Sequence, residues 1–202
     1  MAKQERAQKT REGLLRSAAT QFDRDGYNGA SLARISEAAQ ISMGALTFHF
    51  STKADLADAV EEAGRAMVLD AVERIGAQHP PSLGLAMELT LELTRLLQEQ
   101  EVVRAAARLT RERPGRPEWS SAWLPELRRI LNRLDKEGGL PATAPPDLLT
   151  ALASCLVDGM DAALRRSGAS PVARVDAVGE LTRLWRLVLA GLRQDGDLAG
   201  LP

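Results

Sequence analysis

The chain reads as all-α: about nine helices, forming an N-terminal helix-turn-helix domain and a larger helical domain. Three observations predict this. Apolar residues recur at three-and-four spacing along most of the 202 residues. Only 3% of the chain is aromatic while 45% is hydrophobic, so the core must be built from Leu, Ala and Val, which favours helices over sheets. No stretch alternates convincingly as a strand, and no internal repeat or low-complexity region interrupts the pattern.

Residues 1–8 are polar and expected to be mobile. Leu14, Leu15, Ala18, Ala19 and Phe22 mark a first helix over 10–25, with Gly26 as its stop. Tyr27 to Ala30 is a turn. Ser31 is a good N-cap for a short helix with Leu32, Ile35 and Ala39 on one face. Gln40-Ile41-Ser42 then turns the chain. Ser42 caps a second short helix, Met43 to about Phe50, and Ile41 packs down as a hydrophobic staple. That second helix is too short to be stable alone.

Residues 53–75 form one long helix, with Leu56, Val60, Ala63, Met67, Ala71 and Ile75 as its stripe. His79-Pro80-Pro81 ends it. Helices are expected over 83–98 and 102–111, with a loop at 113–117. A helix starting at Trp119 or Ser120 runs to Glu137, with Pro125 near its first turn and Gly138-Gly139 closing it. After a linker at 141–146, Asp147 caps a helix over 148–166. A loop at 167–171 leads to the last helix, 172–193.

Two short helices joined by a tight turn, the second opening on small polar residues, read as a helix-turn-helix. In that motif the second helix sits in the major groove of DNA. The run Ser42-Met43-Gly44-Ala45-Leu46-Thr47-Phe48-His49-Phe50, followed by Lys53 and Leu56, resembles the signature of TetR-type repressors over about residues 9–60. The start Met1 to Ala7 and the Gly44-Ala45-Leu46-x-Phe48-His49-Phe50 core are similar to γ-butyrolactone receptors and their pseudo-receptor relatives. These are autoregulator-linked repressors of antibiotic-producing soil bacteria.

The resemblance implies a DNA-binding domain over 1–52 and a ligand-binding and dimerisation domain over 53–202. It places Ser42, Met43 and Gly44 near base edges, with Ala45 and Thr47 beside them at the front of the recognition helix. Ser31, His49 and Lys53 become phosphate contacts, Lys53 at a helix start where the free amides also favour an anion. Two residues depart from the pattern. Met43 stands where many relatives carry Lys, which removes a cationic base contact and its guanine preference. Thr47 stands where most carry Tyr, and has a shorter reach. Phe48 and Phe50 are expected in the core.

Charge agrees with this reading once it is resolved along the chain. Residues 1–16 hold five cations against two carboxylates, a local balance of +3 in a chain of net charge −1. A basic end on a near-neutral protein is an electrostatic footprint for DNA. The single Cys155 excludes an intrachain disulfide framework and suits the cytoplasm, with association to the nucleoid when DNA is bound. No apolar run approaches the ~18 residues of a membrane span, and the basic start lacks the apolar stretch of a signal peptide.

An enzyme is not expected. His49 and His79 are the only histidines, no Cys/His metal spacing exists and no Gly-rich phosphate loop occurs. No cofactor is implied. Asp158 and Asp161 share a helix face, where a solvated or salt-bridged pair is the ordinary outcome.

For the larger part, the resemblance implies a mostly apolar pocket between residues 83 and 165. A Trp there is a ligand-contacting feature of γ-butyrolactone receptors, and the resemblance offers Trp119 or Trp123 as its counterpart; packing of a helix start is the other role open to each. Met87, Leu91, Cys155 and Met160 are further candidates, although such side chains are more often plain core. The resemblance implies a γ-butyrolactone-like autoregulator as inducer. The alternatives are an antibiotic or biosynthetic intermediate sensed by a pseudo-receptor, or the ligand of a TetR-type regulator of an efflux pump. The last two helices have broad apolar stripes and are expected to pair a homodimer across a two-fold axis.

Overall fold

The computed structural model describes residues 2–113, 115–167 and 176–194. Nine α-helices and no strand occur among the described residues: α1 (Ala2–Gly29), α2 (Leu32–Ala38), α3 (Met43–His49), α4 (Lys53–Gln78), α5 (Leu83–Glu99), α6 (Glu101–Glu112), α7 (Leu124–Lys136), α8 (Pro146–Ser167) and α9 (Ala177–Gln194). A short 3-10 turn, Trp119–Ala122, precedes α7. The chain forms two compact units. One comprises residues 1–68 and 100–119, the other 69–99 and 120–202, so α4 contributes to both.

In the first unit, α1 packs along α6 and carries α2, which carries α3. Leu14, Ala18, Phe22, Ile35, Leu46, Phe50, Leu56, Val60, Ala105 and Leu109 form one buried cluster. Gly64 allows α4 and α6 to approach closely: a Cβ on it would lie 2.5 Å from Ala106 Cβ and 2.9 Å from the Val102 carbonyl oxygen. Glu101, at the start of α6, accepts a hydrogen bond from Thr20 of α1 at 2.5 Å. Arg104 pairs with Asp23 at 2.7 Å, and Arg108 donates to the carbonyls of Asp23 and Arg24 at 2.7 and 3.1 Å.

The helical path of α1 is interrupted at Gly26 (φ 73°), as expected for its stop, and Tyr27 to Gly29 follow the kink. Its start differs from the expected one. Residues 2–8 are helical, because Ala, Lys, Gln, Glu and Arg are all strong helix formers and Gln8 bonds Glu12 one turn on at 2.9 Å.

In the second unit, α5 is central and packs against α7, α8 and α9. Leu85, Leu89, Leu93 and Leu97 are its buried stripe. Trp185 of α9 is buried, and its Nε1 donates to Thr90 Oγ1 at 2.8 Å. Gln98 Oε1 accepts from the Ala177 amide at 3.0 Å, capping the first turn of α9.

The single helix expected from Trp119 to Glu137 is instead the 3-10 turn and α7, divided at Trp123. Pro125 has no N–H to give a preceding turn, so the helix restarts there. The next helix begins at Pro146, one residue ahead of Asp147, with proline at a helix start where its missing N–H costs nothing. Residues 172–175 of the expected last helix lie outside the described residues. No helix among the described residues is long and apolar enough to cross a membrane.

Candidate nucleic-acid interface and buried tryptophan core

The helix-turn-helix is built by its caps. Ser31 Oγ accepts the Arg34 amide at 3.3 Å, and Ser42 Oγ accepts the Ala45 amide at 3.2 Å. Between the helices Gln40 takes a left-handed backbone (φ 56°), which reverses the chain in the fewest residues. The buried Ser36 hydroxyl donates to the Ile41 carbonyl at 2.7 Å and fastens the turn to α2. Thr52 and Asp55 cap α4 reciprocally, each side chain accepting the other's amide at 3.0 Å.

Leu46 and Phe50 anchor α3 in the core. Ser42, Met43, Gly44, Thr47 and Phe48 are exposed, and Ala45 and His49 are half-buried. Phe48 is a correction: expected in the core, it is 84% exposed. Helical spacing accounts for it, because Leu46 and Phe50 occupy the inward face and Phe48, two residues from each, points away. Its ring stands edge-on to His49, with centroids 5.3 Å apart.

Lys53 sits inside the motif. Its Nζ donates to the carbonyls of Tyr27 at 2.8 Å and Ala30 at 3.2 Å, and lies 4.6 Å from the Tyr27 ring centroid. It therefore caps the end of α1, a role that the sequence reading did not assign. Arg113 stacks on the same ring at 5.1 Å and reaches Asp58 and Glu61 of α4, each at 2.5 Å. Arg116 joins both carboxylates. Burial pushes the Glu61 carboxyl up against the pull of Arg113. Burial likewise raises Asp23, with Arg104 opposing. Lys9, Arg11 and Arg16 of the basic end are exposed, with Arg11 over the Phe50 ring at 5.3 Å.

The two candidate tryptophans part. Trp119 is half-buried and belongs to the first unit, while Trp123 is fully buried in the second. Met87 and Leu91 of α5 are half-buried and Met160 of α8 is buried, all in the second unit. Cys155 is exposed. The buried positions of α8 are Leu149, Thr150, Ala153, Val157, Met160 and Asp161, and Cys155 falls on the other side of the helix.

Polar groups buried beside these residues were missed from sequence. Thr90 donates to the Met87 carbonyl at 2.8 Å, and Thr94 to the Thr90 carbonyl at 2.9 Å. Thr150 Oγ1 is buried without a hydrogen-bond partner among the described residues. Only the three-and-four spacing of Thr90 and Thr94 with the α5 leucines signalled burial. Asp161 is buried and paired with Arg165. No group of His, Cys, Asp and Glu that could hold a metal occurs among the described residues.

Residues 14–60 match the family described as bacterial regulatory proteins, tetR family. The chain is 26% identical over 201 residues to the A-factor receptor protein of Streptomyces griseus, a match covering 98% of this chain and 69% of that one. A crystal structure of a γ-butyrolactone receptor, an ArpA-like protein, superposes with a TM-score of 0.75 at 26% identity, covering 93% of this chain and 89% of that one. CprB from Streptomyces coelicolor, in complex with its biological operator sequence, gives a TM-score of 0.74 at 26% identity, covering 92% and 89%.

Proposed function

We propose that this chain, whose residues 14–60 match the tetR family and which is similar to γ-butyrolactone receptors along most of its length, is a repressor that binds operator DNA as a homodimer and is released by a γ-butyrolactone-like signalling molecule. The observation that carries the reading is the capped helix-turn-helix at one end of a chain similar to γ-butyrolactone receptors over nearly its whole length. Its place is the cytoplasm and its targets are antibiotic or secondary-metabolite genes.

Residues 1–52 engage DNA and 53–202 serve the ligand and the dimer. α3 enters the major groove with Ser42, Met43, Gly44 and Ala45 toward base edges. Thr47, His49 and Lys53 face phosphates. Ser31 accepts the Arg34 amide and keeps its own hydroxyl proton to donate to a phosphate. Two copies of α3 related by a two-fold axis meet a pseudo-palindrome.

The dimer forms through α8 and α9. Leu148 and Leu187 are 55% and 70% exposed there, and nothing lies within 4 Å of a Cβ built on Gly159 or Gly191. Cys155 belongs to this outer side of α8.

The ligand is held in the second unit by Trp123 with Met87, Leu91 and Met160, and the Thr150 hydroxyl offers it a polar partner. Trp123 is chosen over Trp119 because it is fully buried in the same unit as these side chains. Ligand binding shifts α4 so that the recognition helices no longer fit the spacing of their sites. DNA and inducer each weaken the other's binding, through different affinities for the two states.

The test is a gel shift on promoter fragments of the protein's own gene and its neighbours, with and without a γ-butyrolactone or antibiotic extract. Specific binding released by the butyrolactone supports the reading. Release by the antibiotic extract alone makes the protein a pseudo-receptor, and binding that ignores sequence removes the repressor altogether.

A further inference from the structure

We infer that α3 recognises its operator through thymine C5-methyl groups, with Met43 and Phe48 as the specificity-determining contacts. The inference rests on the DNA-binding reading above and names what that reading leaves open.

The exposed strip of α3 is Met43, Gly44, Thr47 and Phe48, two pairs one turn apart. Met43 is 41% exposed and Phe48 84%. No side chain of the strip carries a charge or an amide. Thr47 donates its hydroxyl proton to the Gly44 carbonyl at 3.2 Å, and Ser42 Oγ beside the strip accepts the Ala45 amide at 3.2 Å, keeping one hydroxyl proton rather than a pair of donors. The paired donors that suit guanine and the amide that suits adenine are therefore missing. The thymine methyl is the one apolar group on the major-groove edge of the base pairs, and a thioether and a phenyl ring complement it.

Gly44 bears on how closely α3 can be approached. It lies in the first turn of α3, one residue after Met43. A Cβ there would meet only Ser42 Oγ, at 4.0 Å, so packing within the chain does not require glycine. Its missing side chain leaves the backbone of α3 open to close approach from outside.

The experiment uses the full-length protein. A preferred duplex is selected from a random pool, and each half-site thymine is then replaced by deoxyuridine, which removes the methyl and keeps the pairing. At thymines facing α3 each replacement weakens binding about fourfold, the equivalent of ~0.8 kcal/mol for one buried carbon. With Met43→Ala or Phe48→Ala, both at exposed positions that leave the core intact, at least one of those thymines loses its sensitivity to less than twofold. Met43→Lys shifts the selected half-site toward guanine. A specific duplex whose affinity is unchanged by deoxyuridine throughout overturns this inference and leaves the repressor standing. Failure to select any sequence overturns the repressor reading, and this inference with it.

Discussion

Lys53 illustrates how one side chain carries two demands. Its ammonium satisfies two carbonyls at the end of α1, so it contributes to stability before any DNA arrives. Lys53→Met is expected to cost roughly 1 kcal/mol, seen as a melting temperature about 2–4 °C lower in the absence of DNA. An unchanged melting curve would mean that the two bonds are not formed in solution. Gln40 is the converse case, a non-glycine residue in a left-handed turn. Gln40→Gly relieves that conformation at the expense of a freer unfolded chain, and nets a gain of well under about 1 kcal/mol in urea unfolding.

At the scale of elements, α4 and α6 meet at Gly64. Gly64→Ala would drive a methyl into Ala106 and the Val102 carbonyl. The helices must part, and a loss of about 1–3 kcal/mol is expected by denaturant unfolding. What was legible in the sequence also divides by element. The helix-turn-helix was plain, because Ser31 and Ser42 are local caps and local chemistry is written in adjacent letters. The long α4 and its proline stop were legible for the same reason. The outward turn of Phe48 was missed because residue type was given priority over its spacing from Leu46 and Phe50. The internal role of Lys53 was missed because its partners there, Tyr27 and Ala30, lie far away in sequence and are met only through the fold. That Trp119 and Trp123 fall in different units could not be read from residues four positions apart.

For the whole molecule, two further outcomes follow. Leu187→Glu places a charge on the outer side of α9, at a residue 70% exposed in the single chain, and is expected to leave folding intact while sedimentation shows a shift from dimer to monomer. A monomeric wild-type protein would remove the proposed pairing. The second outcome concerns pH. Burial raises Asp23, so its penalty in the folded state is relieved as it takes up a proton. The stability it contributes is full below the unfolded pKa and is lost as pH rises through the higher folded value. Wild type is therefore expected to gain stability relative to Asp23→Asn as the pH falls from neutral toward about 4, read from urea midpoints. A widening gap in the opposite direction would mean that Arg104, not burial, dominates that carboxyl.

The uncharged strip on α3 has one more consequence. Contacts with phosphates weaken steeply as ionic strength rises, because bound counterions are no longer released into dilute solution. Methyl contacts are not screened in this way. A reader of this kind loses its grip on all DNA in concentrated electrolyte, yet its preference between right and wrong sites survives. Osmotic stress would then thin out its occupancy without blurring its choice.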